Sequence, residues 1–189
     1  MVEIFAKTER LILRDWRVSD RAVFLDHLNS PAVMRWLGGV QDKAKYQAAF
    51  ERLEAYRRDY GHTFWIVERR ADGGVLGFCG LKRVNAEGAS CLGDFEIGWR
   101  LREDAWGQGV AKEAAIASLD LAFERFVAPR VVALTVAGNR ASWGLMKRLG
   151  MTLRPELQYH DPNFAPDLNP TIVYRIDAVE WPIARAALV

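Results

Sequence analysis

From Asp94 to Phe126 the chain reads DFEIGWRLREDAWGQGVAKEAAIASLDLAFERF, and the period of its apolar residues changes once along the way. Up to Leu101 the period is two. Phe95, Ile97, Trp99 and Leu101 fall on one side, and Asp94, Glu96, Gly98 and Arg100 on the other, as in a strand with one dry and one polar face. From Val110 the pattern is helical, with Val110, Ala114, Ala117 and Leu121 on one line and Ala111, Ala115, Leu119 and Phe123 on another. That predicts a helix to about Phe126, buried almost all round. Gly107 and Gly109 lie at the junction. A strand that turns through glycine into a buried helix needs a sheet for the helix to cover, and RVVALTV at 130–136 supplies the next buried strand. With a helix between them, this strand and that of Glu96 are expected to be parallel, related by a right-handed crossover.

The rest of the chain supplies further elements for the same sheet. TERLILRDWR at 8–17 suits an opening strand, followed by a helix capped by Ser19, a short one started by Ser30 and Pro31 and stopped at Gly38 and Gly39, and a long amphipathic one opened by Asp42 and closed by Gly61. HTFWIVERR and GVLGFCGLKRV flank the turn ADGG, and a second turn follows at NAEGAS, so antiparallel hairpins are expected. Asn139 caps RASWGLMKRL, Gly150 ends it, and two strands, MTLRPELQYH and TIVYRIDAV, are joined by the loop DPNFAPDLNP. The order of elements predicts one domain over 1–189, of α/β (α+β) class.

Composition narrows the function. At 189 residues, half of them apolar, the chain can bury a real core, and a net charge of +2 with Lys and Arg spread along it argues against a nucleic-acid or membrane-surface partner. Cys79 and Cys91 form no CxxC and have no His at zinc spacing, so reduced thiols in a cytoplasmic protein are expected, with no metal. No stretch approaches the roughly 20 apolar residues of a membrane span, and none resembles the apolar segment of a leader peptide. No interface pattern distinguishes a monomer from a homodimer.

Strand, glycine turn and helix together aim the unpaired amides of a helix N-terminus, with the positive end of its dipole, at a negative ligand. Gly107 and Gly109 would let phosphate oxygens approach the backbone of residues 107–111 without Cβ interference, with Lys112, Arg100 and Arg102 near enough to add charge. The turn lacks the Lys-Ser/Thr of a P-loop and the third glycine of the dinucleotide fingerprint, so physics alone reaches an anion site.

EIGWRLREDAWGQGVAKEA resembles the acetyl-coenzyme A signature of the GNAT N-acetyltransferase superfamily, with Trp106 in the position of the usual Arg or Gln, Gly109 as the central glycine and Ala111 as the last small residue. The tryptophan is similar to the branch containing ribosomal-protein alanine N-acetyltransferases, as are TERLILR at 8–14, GFCGL at 77–81, NRASWGLMKRLGM at 139–151 and VYRI at 173–176. The resemblance implies a mixed, mostly antiparallel sheet of about seven strands with helices on both faces, whose strands 4 and 5 splay apart as a parallel pair. It also implies acetyl-coenzyme A held by Leu101, Arg102, Trp106, Gly107, Gln108, Gly109, Val110, Ala111, Lys112, Asn139 and Ser142, and an amine acceptor, either a protein N-terminus or a small molecule.

Acetyl transfer from a thioester to an amine needs a neutral nucleophile, yet an α-amino group has a pKa of about 8 and a lysine about 10.4. A carboxylate in hydrogen-bond reach can take that proton. Glu96, on the polar face of the strand before the turn and in the position of the family's proposed base, is the candidate, with Asp94 in reserve. Many members carry a Tyr seven residues after the Asn as proton donor to the leaving thiolate. Met146 stands there, and Ser142, one helical turn earlier on the same face, takes the role by resemblance. A backbone amide between Gly98 and Arg100 is the expected oxyanion donor. His160 with Asp161, and Trp16 with Trp36, are lesser candidates for lining the acceptor pocket, while His27 and His62 have no sequence partners. Two rivals remain: a non-catalytic acetyl-coenzyme A binder, and a phosphate-sugar or nucleotide binder using the same turn.

Overall fold

The computed structural model describes residues 2–188, which form two compact units: 2–82 with 98–118, and 83–97 with 119–188. The first unit opens with strands β1 (Ile4–Lys7) and β2 (Leu11–Arg14), paired antiparallel. The sequence suggested one opening strand. IFAK is too short to show a period, and it is held because Phe5 stacks on Trp65 with ring centroids 5.0 Å apart.

Helices α1 (Asp20–His27), α2 (Pro31–Met34) and α3 (Lys43–Tyr60) follow. Two of the expected caps form: the Ser30 hydroxyl accepts from the Val33 amide and the Asp42 carboxylate from that of Lys45. Ser19 does not cap α1. Its backbone is already helical, and the Asp20 carboxylate accepts from the Arg17 amide at 2.7 Å instead. Gly61, at φ 72°, ends α3 and donates to the Arg57 carbonyl.

Strands β3 (Phe64–Arg69) and β4 (Val75–Arg83) make the predicted hairpin, β2 pairs with β3, and β5 (Phe95–Leu101) lies beside β4. Phe24 of α1 and Leu28 just after it, Tyr46 and Phe50 of α3, and Ile66 and Phe78 of the hairpin form one buried cluster. Helix α4 (Val110–Asp120) takes the other face of β4, where the Ser118 hydroxyl lies 3.4 Å from the Cys79 sulfur. Helices therefore cover both faces of β4 within this unit, as expected.

In the second unit α4 runs on into a π-helical turn, Leu121–Arg125, rather than staying α-helical to Phe126. The Phe126 amide reaches back five residues to the Leu121 carbonyl. Strand β6 (Arg130–Val136) pairs parallel with β5 through Phe95 opposite Val131 and Glu96 opposite Val132. Helix α5 (Arg140–Arg148) comes next. The long strand expected from MTLRPELQYH shrinks to β7 (Thr152–Leu153), because Pro155 has no N–H for the ladder and opens a 3-10 turn. Strand β8 (Thr171–Asp177) lies between β6 and β7, antiparallel to both, and α6 (Trp181–Ala186) completes the unit. The described residues thus hold eight strands, not seven, and the parallel pair is the fifth and sixth because of the extra N-terminal strand. Trp181 is buried and donates its indole N–H to Asp120, which also meets Arg185, so the tail is part of the packed structure. Among the described residues no helix is long and apolar enough to cross a membrane, and no group of three or more His, Cys, Asp or Glu could hold a metal ion.

Candidate active site

The first unit carries the turn. Gly107 and Gly109 have φ of 72° and 78°, a left-handed conformation that admits glycine with least strain, and a Cβ built on Gly107 would meet nothing within 4 Å. Residues 106–109 are exposed, Val110 is buried, and Ala111 and Lys112 are half-buried, so the first turn of α4 opens on solvent. The amides that begin a helix have no carbonyl four residues back to bond, and here they stand beside backbone without side chains. That donor set fits a diphosphate.

Several bonds fix the turn. The indole N–H of Trp106 donates to the Leu101 carbonyl at 2.9 Å, and Gln108 Nε2 donates to the Asp104 carbonyl at 2.6 Å. The Arg102 amide donates to the Leu76 carbonyl, and its guanidinium pairs with Asp104 at 2.6 Å, a hydrogen bond that holds the Asp104 carboxyl below its ordinary value. The Leu101 carbonyl and the Arg102 amide are thus engaged within the protein. By strand alternation the amides of Trp99 and Leu101 face the edge of β5 opposite the one bonded to β4.

Sequence reasoning missed one part of this region. Glu113, in the first turn of α4, accepts from the Thr8 hydroxyl, the Arg10 amide at 2.9 Å and the Arg10 guanidinium at 2.7 Å, while Arg10 Nη1 donates to the Gln108 carbonyl at 3.0 Å. Burial pushes the Glu113 carboxyl up, but these donors outweigh it and hold it below the ordinary value. The TER of TERLILR is therefore a clamp on the turn. No local signal in either segment marks a pairing so remote in sequence.

The second unit carries Glu96, Asn139 and Ser142. Glu96 is buried, at 8% exposure, on the parallel pair. Two acidic hydrogens face it. Burial pushes up the Tyr159 phenol and the Cys91 thiol, and the negative charge of Glu96 adds to both shifts. Tyr159 comes from the loop before β8, where its backbone bridges Thr171, and sequence reasoning singled out its neighbours His160 and Asp161 rather than Tyr159 itself. Asp94 is engaged elsewhere, paired with Arg130 at 2.8 Å.

Asn139 caps α5, its side-chain oxygen accepting from the Ser142 amide at 3.3 Å, which leaves the Asn139 amide group free to donate outward. Ser142 is half-buried in the first turn, and Met146, one turn on, is buried. Of the lesser candidates, Trp16 packs against the buried aromatic cluster and donates to the Phe64 carbonyl, and Trp36 is half-buried with Arg35 stacked 4.7 Å over its ring. His62 is buried with Nδ1 2.9 Å from the Leu81 carbonyl. Asp161 is buried and accepts from the Asn163 amide at 2.9 Å, pinning its loop.

Comparison with known proteins agrees with this geometry. Residues 10–152 match the family described as the acetyltransferase (GNAT) domain. The Bacillus subtilis protein YkkB is 32% identical over 145 residues, 76% of this chain and 83% of YkkB. An acetyltransferase from Agrobacterium tumefaciens is 29% identical, with a TM-score of 0.76 over 93% of this chain and 95% of that one. A spermidine N-acetyltransferase from Vibrio cholerae, solved with coenzyme A and spermine, shares the fold with a TM-score of 0.74 at 14% identity, over 93% and 99% of the two chains.

Proposed function

This chain belongs to the acetyltransferase (GNAT) domain family, and on that premise we propose that it transfers an acetyl group from acetyl-coenzyme A to a primary amine, on a protein N-terminus or a small molecule. The observation that carries the reading is the exposed turn at Trp106–Gly109, whose two left-handed glycines open α4. Its backbone amides, with Lys112, hold the diphosphate, and Leu101, Arg102, Trp106, Gln108, Val110 and Ala111 shape the path of the arm that follows. Asn139 donates to that arm through its free amide group. The motif match at Trp106, Glu96 and Ser142 favours the branch of ribosomal-protein alanine N-acetyltransferases.

Acetyl-coenzyme A supplies an acetyl group activated as a thioester. Glu96 takes the proton from the ammonium form of the acceptor, so that the nitrogen lone pair forms the new C–N bond as the C–S bond breaks. Ser142, at the start of α5, hydrogen-bonds the departing sulfur, and the second proton, lost from nitrogen as the amide forms, passes to the thiolate through the hydroxyl or a water.

A panel of amines, including peptides beginning with Ala or Ser, tests this through release of free thiol and the mass of the product. Glu96→Gln is expected to lower kcat about 10²- to 10⁴-fold with acetyl-coenzyme A affinity nearly intact. Ser142→Ala is expected to lower it about tenfold or less, the loss of one hydrogen bond. Unchanged turnover in Glu96→Gln would remove it as the base. The second reading, a binder without turnover, draws on the buried thioether of Met146 where many members have a Tyr, and it predicts tight cofactor binding with no thiol release from any amine.

A further inference from the structure

Strand alternation puts Arg100 on the same polar face of β5 as Glu96. Within the first unit Arg100 is half-buried, its guanidinium carbon 5.3 Å from the centroid of the Phe78 ring. Among the described residues no carboxylate pairs with it, and its Nε is shielded from water without a hydrogen-bond partner. The titratable group that faces it is Tyr46 of α3, whose hydroxyl is buried and likewise has no hydrogen-bond partner. Burial disfavours the charge on both, lowering the proton affinity of Arg100 and pushing the Tyr46 phenol up.

Their surroundings are aromatic, with Tyr46 and Phe78 in one buried cluster. Phe64 stacks on Phe78 with centroids 5.0 Å apart, and a Cβ on Gly98 would stand 2.9 Å from the Phe64 ring, so ring edge covers the strand next to Arg100. Two buried donors without acceptors are rare in folded proteins, because each forfeits the hydration it had in water. A planar fork of N–H groups beside a hydroxyl, in an environment of low polarity, matches a carboxylate better than any neutral group. Part of the Arg100 side chain is exposed, while its Nε and the Tyr46 hydroxyl are shielded from water.

We propose that Arg100 and the Tyr46 hydroxyl recognise a carboxylate on the acceptor, so that this acetyltransferase takes an amine that is also an acid. The carboxylate belongs either to a free amino acid or to an acidic side chain of a peptide. The inference rests on the acetyltransferase reading for its amine and on the geometry of Arg100 for its acid.

Matched pairs test it. Free amino acids are compared with their carboxamides, and peptides with Asp or Glu in the second position with their Asn or Gln counterparts, by thiol release and by calorimetric binding in the absence of acetyl donor. One set or the other is expected to show at least a tenfold preference for the acid, and which set does so identifies the source of the carboxylate. Arg100→Met should abolish that preference, Arg100→Lys should keep part of it, and Tyr46→Phe should lower it several-fold, with the melting temperature of each variant no lower than that of the wild type. Equal turnover of acid and amide by the wild type overturns the inference and leaves the acetyltransferase reading standing. Binding of the acids that needs Arg100, with no thiol released from any amine, does the reverse. No preference in either assay, or a preference that survives in Arg100→Met, overturns the inference outright.

Discussion

Two arginines in the first unit leave strands towards packed surroundings and meet opposite fates. Arg14, at the end of β2, is 2% exposed. Its Nη1 and Nη2 donate to the two Asp20 oxygens at 2.8 and 2.9 Å, its Nε donates to Glu68, and the Asp15 carbonyl takes a further bond at 2.8 Å. Burial works against its charge, but the two carboxylates outweigh it and raise its pKa. Arg100 has a ring face and a phenol, and its pKa moves the other way. The protein closes the field of the first cation with its own acids and leaves that of the second open. Structure and function part there.

Three variants bear on that contrast. The largest effect is expected from Asp20→Ala, which strips a buried guanidinium of its bidentate partner and should cost about 3–5 kcal/mol in urea denaturation. A loss under about 1 kcal/mol would mean that Glu68 alone suffices and that the closed field is no structural necessity. Glu113→Gln should cost roughly 1 kcal/mol at pH 7, since a charge-assisted pair becomes a neutral one. The sign of its pH dependence follows from the lowered carboxyl. The advantage of the wild type is complete above the unfolded value of about 4.5 and fades as pH falls through the lower folded value. Persistence of the full difference at pH 2 would show that charge is not its source. The smallest effect is expected from Arg100→Met, which removes a cation that no carboxylate neutralises and should leave stability within about 1 kcal/mol of the wild type, on the stabilising side. A loss like that of Asp20→Ala would erase the distinction.

What the sequence made legible is what local spacing determines. The alternation of β5, the glycine turn, the caps at Asp42 and Asn139 and the end of α3 at Gly61 all depend on neighbours a few residues away, and each is present. Ser19 misled because the better acceptor, Asp20, is recruited by Arg14 as well as by the amide of Arg17. The shortness of β7 was available in principle from Pro155, whose missing N–H weighs more than the alternating residues around it. The candidate site divides in the same way: the turn and Glu96 came from pattern and resemblance, whereas Tyr159 beside Glu96, Tyr46 beside Arg100 and Arg10 on Glu113 are pairings that only tertiary packing creates. No local period encodes them.

The clamp of Thr8 and Arg10 on Glu113 bears on how α4 can attract anything negative. A carboxylate in a helix's opening turn sits where an incoming anion would lie, and left bare it would repel that anion as strongly as the dipole draws it. Arg10, reaching over from the first hairpin, offsets that repulsion and is held beside Gln108 by the carbonyl of that residue. The gatepost of this entrance thus stands on a turn distant in sequence, and the entrance would turn inhospitable if the post were removed while every residue of the glycine turn itself stayed in place.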